Sequence, residues 1–140
     1  MTNILQSLGF GSTNSILTAA LLLRVALGAL FLAHAWLKVF VFTPTGAAQY
    51  FASLGVPGVM AYVTIAAEVL GGFALIVGFQ TSLVALLLIP VLLGAAILAH
   101  GPNGFWFTNE GGGWEYPAFW ALALLVQSLL GGGLLAITKG

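Results

Sequence analysis

The chain has 140 residues, of which 61% are hydrophobic and 4% charged, with three Lys/Arg against three Asp/Glu. A typical soluble domain is about a quarter charged, so this composition excludes an ordinary water-soluble fold, and the even charge balance excludes a basic nucleic-acid face. Cysteine is absent, which removes disulfides, thiol relays and thiolate metal sites.

In chain order, residues 1–15 read as a polar tail, partly helical. Four apolar segments follow, each near the ~20 residues that cross a bilayer core: residues 16–42, 59–79, 82–100 and 117–137. The first carries Arg24, and the apolar run from there to Ala33-His34-Ala35 imitates a secretory signal with a small-x-small cleavage site. The apolar stretch before Arg24 favours a membrane helix instead. Loop 43–58 is bracketed by Thr43-Pro44-Thr45-Gly46 and Gly55-Val56-Pro57-Gly58. Between them, residues 47–54 suit a short helix lying on the membrane surface. Ala67 and Gly71 of the second segment form a small-xxx-small packing pair. After the tight turn Gln80-Thr81-Ser82, the third segment contains Pro90, which kinks rather than breaks a membrane helix. Loop 101–116 holds Phe105, Trp106, Phe107 and Trp114, too apolar for a free loop in water, and is expected to pack over the bundle mouth as a lid. Pro117 suits the first turn of the fourth helix. There is no internal repeat. The expected fold is one domain, an all-α integral membrane four-helix bundle, with both termini on one side. Lys38 and Lys139 are too few to orient it by the positive-inside bias.

Charged residues inside a span are costly and usually face the bundle interior with a partner. Arg24, His34 and Lys38 fall within an arc of about 80° on the first helix. Counted from the loop end at about 1.5 Å per residue, His34 lies roughly 10 Å deep, Glu68 roughly 15 Å and Arg24 roughly 25 Å. Arg24, with its long reach, is the expected partner of Glu68, with His34 or Lys38 second. Such a pair serves either to fix helix register or to build a polar pocket or proton path. His34 and His100 read first as hydrogen-bonded helix-end histidines. No HxxxH-type spacing supports a metal or haem site, and no metal is expected.

Trp36, Trp106, Trp114, Trp120, Tyr50, Tyr62 and Tyr116 gather at the loop end. An aromatic belt accounts for most of them. The same end also holds His34, Lys38, His100 and Glu115, and apolar walls with a few converging polar groups are what a small-molecule pocket is made of. The expected pocket opens there, lined by His34, Lys38, Glu68, His100, Trp106 and Glu115, with Arg24 closing its floor. A planar lipophilic molecule such as a quinone fits that chemistry.

Several stretches carry a resemblance. Arg24-Val25-Ala26-Leu27-Gly28, Phe31-Leu32-Ala33-His34 and Lys38 are similar to the first-helix signature of the DoxX family of small bacterial membrane proteins. Tyr50-Phe51-Ala52-Ser53-Leu54-Gly55-Val56-Pro57 resembles its first loop, and Glu68-Val69-Leu70-Gly71-Gly72 with Gly78 its second helix. His100-Gly101 and the run from Asn109 to Pro117 resemble its third-helix end and last loop. The resemblance implies four helices in the bacterial inner membrane, cytoplasmic termini and outward loops. It also implies association with redox systems, since some relatives are subunits of thiosulfate:quinone oxidoreductase. Three functions are therefore open: an accessory or anchoring subunit of a quinone-linked membrane complex, a small transporter or proton-conducting bundle, and a purely structural anchor. The partners to expect are membrane lipid and either a redox complex or further copies of the chain.

Overall fold

The computed structural model describes residues 3–140; of the tail expected over residues 1–15, residues 1 and 2 lie outside the described residues. The tail is helical for one turn, α1 (Ile4–Ser7), opened by a capping box between Asn3 and Gln6. Ser12 then caps α2 (Thr13–Trp36) by accepting from the Ser15 N–H. A π-helical turn, Leu37–Val41, prolongs α2 without a break, so the first span runs Thr13–Val41. The expected surface helix is present as α3 (Pro44–Ser53), with Pro44 in its first turn and Thr43 capping it through the Gly46 N–H. Next come α4 (Val59–Val77), α5 (Thr81–Gly94) and a second π-helical turn, Ala95–Ala99. The last helix is α6 (Glu115–Leu130).

Three helical runs, Thr13–Val41, Val59–Val77 and Thr81–Ala99, are long and apolar enough to cross a membrane. The fourth differs from expectation. Helix over residues 117–137 was foreseen, but α6 stops at Leu130. Gly131 and Gly133 both have a φ of +74°, which ends the helix there. Sixteen helical residues reach only about 24 Å, short of the ~30 Å hydrocarbon core. Residues 131–140 follow it as an irregular strap folded back on the bundle.

Irregular backbone survives at membrane depth only where protein satisfies its polar groups. The strap meets that demand by serving the helix ends around it. Ile137 and Thr138 donate their N–H groups to the carbonyls of Val77 and Gly78, at the C-terminus of α4, and Leu134 donates to Leu17 of α2. The Thr138 hydroxyl accepts from the Gln80 N–H, and the Gly140 carbonyl from the Thr81 N–H, at the start of α5. The carbonyls and amides that a helix leaves orphaned at its two ends are thus paired across the α4–α5 turn.

The four long helices form a ring in the order α2, α4, α5, α6. α2 packs most extensively on α4, and α5 on α6. Small residues permit the first contact: a Cβ added to Gly28 would sit 2.6 Å from the Gly72 carbonyl oxygen. Leu27, Phe31, Leu75, Leu88, Leu92, Trp120 and Leu124 fill the middle, while large apolar side chains cover the outward faces. A membrane protein inverts nothing in its core; it replaces the polar surface with one that lipid accepts.

Candidate functional site

Arg24 does not meet Glu68. It is fully buried, in direct contact with the strap. Its Nε donates to the Gly132 carbonyl at 2.8 Å and an Nη to the Leu134 carbonyl at 2.7 Å. The other Nη donates to Leu75 at 3.2 Å and to Ile76. Leu75 and Ile76 carry last-turn carbonyls of α4, where the helix dipole favours a cation. The guanidinium is a backbone cap for a helix end and an irregular strap, using the planar fork that suits it to several acceptors at once. The Arg24–Glu68 pair and the floor assigned to Arg24 are both corrected: Arg24 belongs to the tail end.

Glu68 pairs instead with Lys38, whose Nζ lies 2.8 Å from Oε1; the two side chains are 20% and 3% exposed for Lys38 and Glu68. Lys38 is carried by the π-helical turn Leu37–Val41. Inserted turns of this kind occur often at functional sites.

Beside this pair is a cavity of about 810 Å³. Its wall includes His34, Lys38, Glu68 and His100, four of the seven residues singled out from the sequence. The His34 Nδ1 lies 2.9 Å from the Leu30 carbonyl, which only accepts. Nδ1 must carry the proton, which leaves Nε2 of the neutral ring as a lone pair with no protein partner among the described residues. At His100 both nitrogens are engaged: Nδ1 donates to the Gly112 carbonyl at 2.9 Å, and Nε2 accepts from the Tyr116 hydroxyl at 2.7 Å. That chain ties the end of the third span, the long loop and α6 together. Trp120 adds an aromatic wall, its ring 4.7 Å from Phe31 and 4.8 Å from His34.

Trp106 and Glu115 are not on the cavity wall. Trp106 is 63% exposed and packs edge-on against Phe105, which also meets Trp114. The loop is folded, but its aromatic residues pack on one another rather than closing the cavity as a lid. Glu115 sits in the first turn of α6, where a negative charge suits the helix dipole. Tyr116 and Trp120 take the places expected for those two. Helical geometry held the signal: Trp120, Leu124 and Gln127 are the buried face of α6, and at about 100° per residue Tyr116 lies ~40° from Trp120 while Glu115 lies ~140° away.

An apolar helical ring with a buried ion pair and an exterior made almost wholly of apolar side chains defines a multi-pass α-helical membrane protein. The family model for DoxX matches residues 19–101, and the chain belongs to the DoxX family. It is 30% identical to the inner membrane protein YphA of Escherichia coli (strain K12), over 98% of this chain and 99% of YphA. It is 40% identical over 77 residues to CatD of Bacillus subtilis (strain 168), whose name assigns it provisionally to the oxidoreductases. That match covers 55% of this chain and spans about half the length of CatD, 56%. No solved structure matches the chain.

Proposed function

We propose that this chain is an accessory subunit of a quinone-linked redox system in the bacterial inner membrane, non-catalytic by itself, with its cavity holding a lipophilic ring compound. The observation that carries the reading is the Lys38–Glu68 ion pair set in the wall of a large, mostly apolar cavity. Burying two charges costs more than their attraction returns unless something further is gained. Helix register alone would be served by a pair sealed between helices. Here the pair borders open space, with the lone pair of His34 and the rings of Phe31 and Trp120 on the same wall. A quinone ring stacks on such aromatic faces, its carbonyl oxygens accept from Lys38, and the hydroxyl of its reduced form donates to His34. The name of CatD supports a redox setting. Cytoplasmic termini and an outward-facing loop end are part of the same proposal.

A proton-conducting reading finds less support, because among the described residues the one buried charged side chain of the tail half is Arg24, already bonded to four carbonyls. The test is a binding titration of a benzoquinol analogue, kept reduced so that its hydroxyls can donate to His34 and Glu68, to the purified protein, with co-purifying proteins identified from mild detergent. Losing one polar partner should raise Kd about tenfold in His34→Ala and in Glu68→Ala, while Trp106→Ala leaves it unchanged. Equal affinity in all variants, or no binding at all, overturns the pocket and leaves the structural anchor.

A further inference from the structure

The two hairpins of the ring diverge towards the loops. α4 and α5 leave their tight turn side by side, and halfway along, a Cβ on Gly71 would lie 2.8 Å from Leu88 Cδ1. Past that contact, Pro90 removes a backbone donor from α5, and the π-helical turn Ala95–Ala99 follows. This last stretch stays packed on α6 and makes no comparable contact with α4. The cavity occupies the resulting gap. Gly94 borders it, and a Cβ there would meet no atom within 4 Å.

Met60 and Val63 of α4 and Leu98 of the π-helical turn line the cavity, yet they are 41%, 52% and 43% exposed. They form a rim that is apolar on both sides of the gap, and the exposed neighbours Val59 and Ile97 continue it onto the lipid-facing surface. On the loop side the wall is polar rather than apolar: the Tyr116–His100–Gly112 chain joins the end of the third span, the long loop and α6 there. The polar groups lie further in, at Lys38 and Glu68.

We infer that the cavity is entered sideways from the bilayer, between α4 and α5, and that its ligand is an amphiphile with a polar ring head and a flexible apolar tail. The head reaches the Lys38–Glu68 pair; the tail stays in the gap among Met60, Val63 and Leu98. A tail left there keeps a hydrocarbon environment and gives up nothing on binding, whereas a small water-soluble ligand would have no use for a lipid-side opening. The inference rests on the quinone-type pocket proposed above and adds the class of ligand and its path.

The experiment uses the full chain in lipid nanodiscs and a decyl-tailed benzoquinone bearing a photoreactive group at the tail end. Irradiation and peptide mapping should place the label on residues 60–64 and 91–98, in competition with the untagged compound. The double variant Val63→Trp with Leu98→Trp should slow association at least about tenfold and leave thermal stability unchanged, because both side chains already face outward. Competed, Glu68-dependent labelling confined to residues 105–114, or unchanged association in the double variant, would overturn the sideways path while the pocket stands. Labelling that neither the competitor nor Glu68→Gln reduces overturns the pocket and the path together.

Discussion

The two ends of the bundle solve the same problem in opposite ways. At the tail end a full positive charge is buried with no carboxylate within 4 Å among the described residues, satisfied by four backbone carbonyls. At the loop end opposite charges meet side chain to side chain, next to open volume. Backbone partners cannot move away without unravelling a helix end, so the tail end is a closed, load-carrying joint. Side-chain partners can separate, rotate or accept a third group. The contrast separates what holds the protein together from what is available for a ligand.

The sharpest way to break that contrast is Arg24→Leu. The variant loses bonds worth about 1.5–3 kcal/mol each and leaves carbonyls unpaired in a dry setting. A loss of at least ~4 kcal/mol, much of a typical folding free energy, should appear as a large fall in the thermal midpoint in detergent and a broadened size-exclusion peak. A midpoint within a few degrees of the parent would show that the strap holds without its cation. Gly133→Val comes next. Its Cβ would sit 2.6 Å from Ala20 Cβ at a φ of +74°, which combines overpacking with backbone strain for a cost of about 2–3 kcal/mol, read from the same unfolding curves.

The loop end should respond more gently and in a different pattern. Lys38→Met leaves a buried carboxylate alone and should destabilise by about 1–2 kcal/mol, whereas adding Glu68→Gln should restore most of that loss. A double-mutant cycle that is strictly additive would mean the pair is not coupled. Smallest of all is Tyr116→Phe, which removes the hydroxyl that His100 accepts and should cost about 1 kcal/mol or less. Trp106→Ala provides the baseline, expected within ~0.5 kcal/mol of the parent; a larger effect than Tyr116→Phe would restore the lid that the exposed ring argues against.

Much of the fold was legible because bilayer thickness sets a length that apolar runs must match, and the Gly/Pro breaks mark their ends. The strap was less so. Gly131, Gly132 and Gly133 carry a cost of about 1 kcal/mol each in a helix, yet the apolar Leu134, Leu135 and Ile137 beyond them look like continuation. Pairing of Arg24 failed for a related reason. An inventory of side chains contains Glu68 but not the carbonyls of Leu75, Ile76, Gly132 and Leu134, which become acceptors only once helices end there. Depth alone should have weighed more, since roughly 10 Å along the axis separate Arg24 from Glu68. His34, Lys38, Glu68 and His100 were readable because polar residues in an apolar span must go somewhere. Tyr116 was hidden by its neighbour Glu115, whose charge drew attention away from the helical face that decides direction.

The joint at Arg24 also imposes an order in time. Its acceptors on α4 lie 51 and 52 residues along the chain, but those on the strap lie 108 and 110 residues along. At about 5–20 residues per second of synthesis, the second pair arrives roughly 5–20 s after the arginine. The first hairpin assembles around a guanidinium that is only half satisfied, and the strap latches last. A nascent chain that stalls before Gly132 therefore keeps two free donors inside the membrane, a chemical difference between unfinished and finished molecules.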